Sequence, residues 1–210
     1  MTFKADKYGR VFVHRLEDLR PALRRCNKAV AAIWLRPIPA DVQELAVHLS
    51  HTKLWLDSND LPTRQAFHRA LLKHTPKTLK SAANWLVADQ YALAEMVQGR
   101  CNVQLSTGQE NQRVHKFACG WHWDRNYEVA LCTYAGPTTQ YMVRKDYKIV
   151  DHEITPKQTA QFHHLPAGAI SLHRGTTNPL RWHGALAHRG VPDMPRLLGI
   201  VAVHAEEPYS

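Results

Sequence analysis

The sequence predicts an α+β fold in which an N-terminal helical layer precedes a jelly-roll or sandwich-like β core. Two observations carry this prediction. Apolar residues recur with helical spacing from residue 39 to about residue 99, and short apolar runs separated by turn residues follow from residue 101 onward. Runs of strands after runs of helices favour an α+β arrangement over a parallel sheet with alternating helices.

The helical part divides into three segments. The first opens at Pro39 with a proline at a helix start, and its apolar residues fall on one face. The second runs from Pro62 to Leu72. The third starts near Pro76 and ends at Gly99, a residue suited to a helix C-terminus. We therefore expect two or three helices that pack against another layer.

The second part contains seven short segments with strand character. Turn signals rich in Gly, Pro and Asn separate them, so that no segment is long enough for a buried helix. The predicted strands are Cys101–Leu105, Arg113–Cys119, Glu128–Tyr134, Thr139–Val143, Ala169–His173, Trp182–Ala187 and Leu197–His204. About seven or eight strands of this kind are typical of a jelly roll.

Length and composition indicate one cored domain over residues 1–210, with a mainly helical part to about residue 99 and the β core from about residue 100. The chain has 210 residues, of which 44% are hydrophobic. Its first ten residues are polar and charged, which predicts neither a signal peptide nor a membrane span. The four cysteines form no CxxC pair, so we expect reduced thiols and a cytoplasmic protein.

The positive charge is concentrated near the N-terminus. The net charge is +9, and the first forty residues hold nine Lys or Arg against three acids, which accounts for six of the nine excess charges. A basic segment of this kind attracts nucleic acid or acidic partners by counterion release. Many basic enzymes also use such charge for solubility, so nucleic-acid binding through this segment stays one of two interpretations.

The pattern with the most chemical content is His122-Trp123-Asp124. In extended backbone, side chains two positions apart lie on the same side, so the imidazole and the carboxylate can share one metal ion. A second imidazole would complete a facial triad of two histidines and one carboxylate, which leaves open positions on the metal. The alternative is a surface histidine followed by a turn-forming aspartate.

His188 is the favoured third ligand because Arg196 follows it by eight residues, across a turn and at the start of the last predicted strand. A guanidinium returned to the metal in this way can bind a carboxylate in a bidentate manner. His173 competes, since Arg181 follows it by the same spacing, and His183 is a weaker competitor. The sequence favours His188 but leaves the others open.

With these residues, the chain resembles the Fe(II)/2-oxoglutarate-dependent oxygenase superfamily, and more closely an uncharacterised bacterial family with the same His-x-Asp and His-Arg layout. The resemblance extends over much of the chain in order. The matching stretches are AIWLRPIPA at 32–40, CGWHWD at 119–124, LCTYAGP at 131–137, LPAG at 165–168, AHR at 187–189 and RLL at 196–198. Trp121 stands where the family usually has Phe, which leaves the predicted ligands unchanged.

The superfamily resemblance implies a double-stranded β-helix core, with Fe(II) held by His122, Asp124 and His188 as the catalytic centre. It further implies that 2-oxoglutarate is the cosubstrate, converted with O2 to succinate and CO2 while a small-molecule or peptide substrate is oxidised, most simply hydroxylated. Arg196 would bind the cosubstrate. Arg113 and Tyr134, on strands that flank the motif, are further candidates for this contact, and Tyr141 is a weaker one.

A different class of function fits the same residues. A cupin-like metal-binding or metal-sensing protein would fill the triad with zinc or iron and catalyse nothing, since His and carboxylate also suit zinc. Stoichiometric zinc that is retained while Fe(II) is refused would indicate this alternative. Succinate formation from 2-oxoglutarate would indicate the oxygenase.

Overall fold

The computed structural model describes residues 2–107, 120–151, 153–176, 185–191 and 194–204. Four α-helices lie in the first half of the chain, at Leu19–Arg25 (α1), Ala40–Ser50 (α2), Arg64–Leu72 (α3) and Lys80–Val97 (α4). Short 3-10 helices occupy Leu16–Asp18, Lys77–Leu79 and Arg144–Asp146. Among the described residues, none of the helices combines the length and apolar character needed to cross a bilayer.

The strands form two facing sheets and a separate hairpin. They are β1 (Arg10–Val13), β2 (Ala31–Trp34), β3 (Trp55–Asp57), β4 (Cys101–Thr107), β5 (Glu128–Ala135), β6 (Gln140–Met142), β7 (Tyr147–Val150), β8 (Glu153–Pro156), β9 (His163–His164), β10 (Ile170–Arg174), β11 (Ala187–Arg189) and β12 (Leu197–Val203). The large sheet has the order β1-β2-β10-β5-β12-β4-β3, the small sheet has the order β11-β6-β9, and β7 pairs with β8.

The chain passes back and forth between the two sheets, which defines the core as a double-stranded β-helix. It starts in the large sheet with β4, reaches the small sheet at His122, and returns to the large sheet with β5. It then enters the small sheet with β6 and β9, and continues with β10, β11 and β12 in alternate sheets. The pairings among these strands are antiparallel. The predicted α+β fold with a jelly-roll core is confirmed by this strand order.

Strand β5 lies in the middle of the large sheet and is buried on both faces, along all eight residues. Ala130, Cys132 and Tyr134 point to the helices and belong to the larger apolar core. Val129 and Leu131 point to the space between the sheets, where a smaller apolar core lies. The helices therefore cover one face of the large sheet, and the small sheet covers the other.

The predicted helices agree with the structure. Pro39 precedes α2, and the Thr63 side chain accepts a hydrogen bond from Ala66 N at the start of α3. Helix α4 ends at Val97 and is followed by Gln98 and Gly99, which both have positive φ, of 45° and 123°. A chain reversal of this kind requires positive φ, which glycine adopts without steric cost.

Five of the predicted strands are present as β4, β5, β6, β10 and β12, with ends that shift by one or two residues. The predicted strand Arg113–Cys119 lies outside the described residues, as do residues 182–184 of the predicted strand Trp182–Ala187. Of the other residues in that prediction only Ala187 lies in a strand, β11, which continues to Arg189. Strands β1, β2 and β3 join the large sheet from the N-terminal part, which the sequence predicted to be mainly helical. These strands have three or four residues, which is too short for a visible alternation.

Candidate metal centre

His122 and His188 lie directly opposite each other, and each donates its backbone N–H to the carbonyl oxygen of the other at 3.0 Å. In such an antiparallel pair the two side chains lie on the same face of the sheet. The imidazole centroids are 4.4 Å apart. The backbone pairing thus brings together two histidines that are separated by 66 residues in sequence (188 minus 122).

The hydrogen bonds of the two rings determine which nitrogen is available for a ligand. His122 Nδ1 lies 2.8 Å from the Gly120 carbonyl oxygen, and His188 Nδ1 lies 2.9 Å from the Leu186 carbonyl oxygen. A carbonyl oxygen can only accept, so both Nδ1 atoms carry the hydrogen. In the neutral rings the lone pair is then on Nε2, which is the tautomer that binds a metal with its outer nitrogen.

Asp124 adds the carboxylate of the predicted triad. Its backbone carbonyl accepts a hydrogen bond from Thr176 N at 2.8 Å, and the turn that follows it packs against Gly175. A side chain at Gly175 would meet the carbonyl oxygen of Asn126 and lie 2.9 Å from that of Asp124. The close approach of residue 175 therefore holds the backbone that carries this carboxylate.

The donor atoms of His122, Asp124 and His188 all lie within 4.8 Å of one another. Asp124 Oδ2 is 3.4 Å from His188 Nε2. Both of these atoms present lone pairs when the imidazole is neutral, so a cation placed among them would relieve their repulsion. Two imidazoles and one carboxylate are the donor set that non-haem iron sites use, and the residues therefore fit such a metal.

The electrostatics of the site keep these donors deprotonated. Burial lowers the pKa of His122 and of His188 below the ordinary value, and the repulsion between neighbouring imidazoles lowers it for both rings as well. Burial alone would raise the pKa of the Asp124 carboxyl, but His188 and the hydrogen bond from His173 outweigh it, so the pKa lies below its usual range. All three groups are therefore in the state that a metal requires.

Arg196 lies at the edge of this centre, where β12 begins. Its guanidinium packs against the backbone of Gly190, two residues after His188, so closely that a Cβ at position 190 would lie 2.6 Å from Nη2 and 2.8 Å from Nη1. Its positive charge also contributes to the lowered pKa of both His122 and His188. The spacing of eight residues between His188 and Arg196 thus brings the guanidinium beside the segment that carries His188, and its contact with a cosubstrate stays a prediction.

Tyr134 lies on the other face of β5, among the helices, and its position does not support the predicted contact with a cosubstrate. Its hydroxyl donates to Asp89 and accepts from Gln90 Nε2, both on α4. Arg36 also binds Asp89. Burial raises the pKa of Tyr134 well above its ordinary value. This tyrosine belongs to a buried polar network between the helical layer and the large sheet.

Some sequence candidates lie outside the described residues. Arg113, the second predicted cosubstrate contact, is one of them, and Arg181 and His183 are others. Their roles stay predictions.

Two aromatic side chains of the small sheet lie beside these ligands: Tyr141, which the sequence offered as a weaker candidate, and His163. Tyr141 pairs with His188 on one side and with His163 on the other, so the three side chains lie on the same face of the small sheet. Tyr141 is fully buried, and burial raises the pKa of its hydroxyl to about 12. His163 packs against Tyr141 and Tyr8, with ring centroids 5.2 and 4.2 Å away.

The basic N-terminal segment is largely engaged within the fold. Arg20 and Arg24 both bind the buried carboxylate of Glu128, at 2.9 and 3.3 Å. Arg10 binds Asp6 at 2.7 Å, and Arg15 binds Asp18 at 3.1 Å. Several arginines that could bind an external polyanion are therefore paired with acidic groups of the same chain.

Several solved structures are similar to this chain. They include the dioxygenase for auxin oxidation from rice (12% identity, TM-score 0.49, 91% of this chain and 78% of that chain). A second is a full-length Neurospora crassa protein in complex with alpha-KG and 5-formyluracil (13% identity, TM-score 0.49, 97% of this chain and 87% of that chain). A third is dioxygenase for auxin oxidation 1 from Arabidopsis thaliana with 2-oxoglutarate (12% identity, TM-score 0.41, 91% of this chain and 88% of that chain). The fold assignment rests on the strand order given above.

A family model establishes the closer relationship, while no curated protein matches the chain significantly. The model covers residues 16–197, which include the helical layer, the three predicted metal ligands, Arg196 and every strand except β1 and most of β12. The resemblance to an uncharacterised family that was noted in the sequence is confirmed by this match. The chain belongs to the family described as "Protein of unknown function (DUF1826)".

Proposed function

We propose that this protein is a non-haem Fe(II)- and 2-oxoglutarate-dependent oxygenase that oxidises, most simply hydroxylates, an organic substrate. The observation that carries the proposal is the convergence of His122, Asp124 and His188, whose donor atoms lie within 4.8 Å of one another. Three ligands on one face of a metal leave positions for a chelating cosubstrate and O2. When bound, Fe(II) supplies the site at which O2 oxidises 2-oxoglutarate to succinate and CO2, with the second oxygen atom going to the substrate.

His122 and His188 would each bind the metal through Nε2, because their Nδ1 atoms donate to backbone carbonyls. These carbonyl partners hold each ring in one orientation and make its ligand nitrogen more basic. Asp124 adds one negative charge, which strengthens the binding of a divalent cation relative to a neutral ligand set.

Arg196 would bind the distal carboxylate of 2-oxoglutarate. The residue is only 7% exposed, and its guanidinium lies over Gly190, close to the predicted ligand His188. A guanidinium and a carboxylate form two parallel hydrogen bonds, which orient a keto acid as well as bind it. The buried setting excludes water that would compete for both groups.

The cellular setting is part of the proposal. The described cysteines Cys26, Cys101 and Cys132 are free thiols, which fits the reducing cytoplasm. The substrate would be a small molecule or a peptide, with O2 as the second substrate. Nucleic-acid binding through the basic N-terminal segment is the weaker proposal, because several of its arginines bind acids of the same chain.

The test is anaerobic reconstitution with Fe(II) and 2-oxoglutarate. The wild-type protein is expected to develop a weak visible charge-transfer band, and to form succinate when O2 is admitted. His122→Ala and His188→Ala are expected to lose both signals, whereas His164→Ala, an exposed histidine of the same small sheet, retains them.

The Arg196→Leu variant tests the binding of 2-oxoglutarate separately from the binding of the metal. This variant is expected to bind metal like the wild type but to bind 2-oxoglutarate at least roughly tenfold more weakly, since a charged hydrogen bond contributes about 1.5–3 kcal/mol. Absence of both the band and succinate in the wild type would contradict the proposal. Stoichiometric zinc that Fe(II) cannot replace would instead support a non-catalytic metal-binding protein.

A further inference from the structure

His173 lies beside the predicted metal centre but outside its ligand group. It is fully buried on β10, and its Nε2 is 2.8 Å from Asp124 Oδ2. Its ring centroid is 5.1 Å from that of His188. The cluster of mutually close donor atoms contains His122, Asp124 and His188 and does not contain this third histidine.

The hydrogen bonds of His173 place its ring hydrogen on a different nitrogen from that of the other two histidines. His122 and His188 place their hydrogen on Nδ1, towards backbone carbonyls, which leaves Nε2 with a lone pair. Nε2 of His173 faces a carboxylate oxygen, which can only accept when ionised, so this nitrogen carries the hydrogen. Nε2 of His173 is therefore a donor, whereas Nε2 of each of the other two rings presents a lone pair.

The remaining nitrogen of His173 supports the same assignment. Nδ1 is buried and has no hydrogen-bond partner among the described residues. With the hydrogen of a neutral imidazole on Nε2, Nδ1 carries only a lone pair, so this assignment leaves no buried N–H group without an acceptor. To coordinate a metal through Nε2, the ring would have to lose its bond to Asp124.

We propose that His173 is a positioning residue for Asp124: its Nε2–H bond holds Oδ2 and orients the carboxylate so that the group binds the metal in one fixed geometry. The inference deepens the proposed function and rests on the metal site assigned there. A ligating carboxylate that is itself hydrogen-bonded loses less conformational freedom on binding, and such outer partners commonly contribute about 10- to 100-fold to metal affinity.

The position of β10 explains why this histidine can serve Asp124. His173 pairs with Ala31 on one side and Val129 on the other, in the interior of the large sheet, so its backbone is fixed by two neighbouring strands. Asp124 follows His122 on a segment that, as far as the structure describes it, forms an isolated bridge to His188 and a backbone hydrogen bond with Thr176 but no longer strand pairing. The carboxylate on the less regular segment is thus held by a side chain from a strand that is paired on both sides.

The experiment titrates metal-free protein with Co(II) alone, which reports both a dissociation constant and a visible ligand-field spectrum. His173→Leu is expected to weaken Co(II) binding about 10- to 100-fold and to change the spectrum. His173→Gln, whose side-chain amide nitrogen can reach Asp124 in place of Nε2, is expected to stay within about fivefold of the wild type, which is less than the loss of an outer partner causes. Ser171→Ala, on the same strand and the same face, is the matched control and is expected to leave both readouts unchanged.

Circular dichroism and the unfolding midpoint of each variant separate a positioning role from a loss of fold. Unchanged Co(II) affinity in folded His173→Leu would overturn the inference while leaving the proposed function intact. An equal loss in His173→Gln and His188→Ala would also overturn it, because it would make His173 a ligand. Failure of the wild type to bind Co(II) would overturn both proposals, whereas Co(II) binding without succinate formation by the Fe(II) protein would contradict the proposed function alone.

Discussion

The guanidinium of Arg196 and the backbone of Gly190 are in direct contact, so that a single added methyl group at position 190 would lie 2.6 Å from Nη2. Gly190 does not have a positive φ, and the three atoms nearest to a Cβ there all belong to the guanidinium, which would have to shift to make room. This contact makes a glycine outside the ligand set part of the proposed cosubstrate site.

Gly190→Ala is therefore expected to weaken 2-oxoglutarate binding without loss of metal binding. The methyl group must displace the guanidinium, and a displacement of about 1 Å at such a site costs up to roughly 100-fold. The measurement is a titration of the anaerobic Fe(II) protein, followed in the visible band.

In an Arg196→Lys background, Gly190→Ala is expected to have a smaller effect, because lysine lacks the crowded Nη atoms. An equal loss in both backgrounds would show that the glycine acts on something other than the guanidinium.

Gly136→Ala is expected to destabilise the protein more than Gly99→Ala does. Both glycines have positive φ, of 82° and 123°, so each alanine introduces backbone strain of about 1–3 kcal/mol. A Cβ at 136 would also collide with the carbonyl oxygen of Pro195 and lie 2.8 Å from the Cα of Arg196, whereas at 99 the nearest atom is 3.7 Å away. Urea unfolding measures the two free energies, and equal values would contradict the collision.

The stability of the metal-free protein is expected to fall as the pH drops from about 7 to 5. The pKa of both His122 and His188 is lowered in the fold, so the unfolded chain binds more protons below its pKa of about 6.5. The contribution of these two groups is present above that pH and is lost below it. The depressed pKa of Asp124 acts in the same direction, but only as the pH falls below the ordinary carboxyl value near 3.8.

Chemical denaturation at a series of pH values tests this dependence. A variant with His122→Gln and His188→Gln together is expected to show a shallower slope between pH 7 and 5, because neither replacement titrates. A slope as steep as that of the wild type would assign the dependence to other groups.

The Cys132 thiol is expected to resist alkylation while the protein is folded. Burial raises its pKa to about 12, and the thiolate is the reactive form of cysteine. At pH 8, iodoacetamide should leave the peptide that contains Cys132 unmodified in native protein and modify it in urea, as peptide mass spectrometry can show. Modification at equal rates in both conditions would mean that the large sheet opens easily at β5.

The grouping of His122, Asp124 and His188 could be predicted because each of these residues carries a local signal. His122 and Asp124 are two residues apart in extended chain, and His188 has Arg196 at a spacing that suits a return by the next strand. The helices α2 to α4 were predictable for a similar reason, since each has one apolar face and a recognisable start or end.

The orientation of Tyr134 and the contact of His173 could not be predicted in this way. Strand β5 and strand β10 are buried on both faces, along every residue, so apolar and polar positions do not alternate and the sequence does not indicate which face a residue occupies. Strand β9 has two residues, too few for any periodicity, so the sequence does not indicate that His163 packs against Tyr141. These assignments depend on pairing between strands that are distant in sequence.

The backbone hydrogen bonds between His122 and His188 bear on whether the protein depends on a metal ion to fold. Bringing together two residues 66 positions apart costs a flexible chain roughly 4 kcal/mol in loop-closure entropy. Here backbone hydrogen bonds of the sheet join the two residues, and they offset part of this cost without a cation. For the proposed oxygenase, loss of iron would then inactivate the protein without unfolding it, and activity would return on resupply of iron without new synthesis.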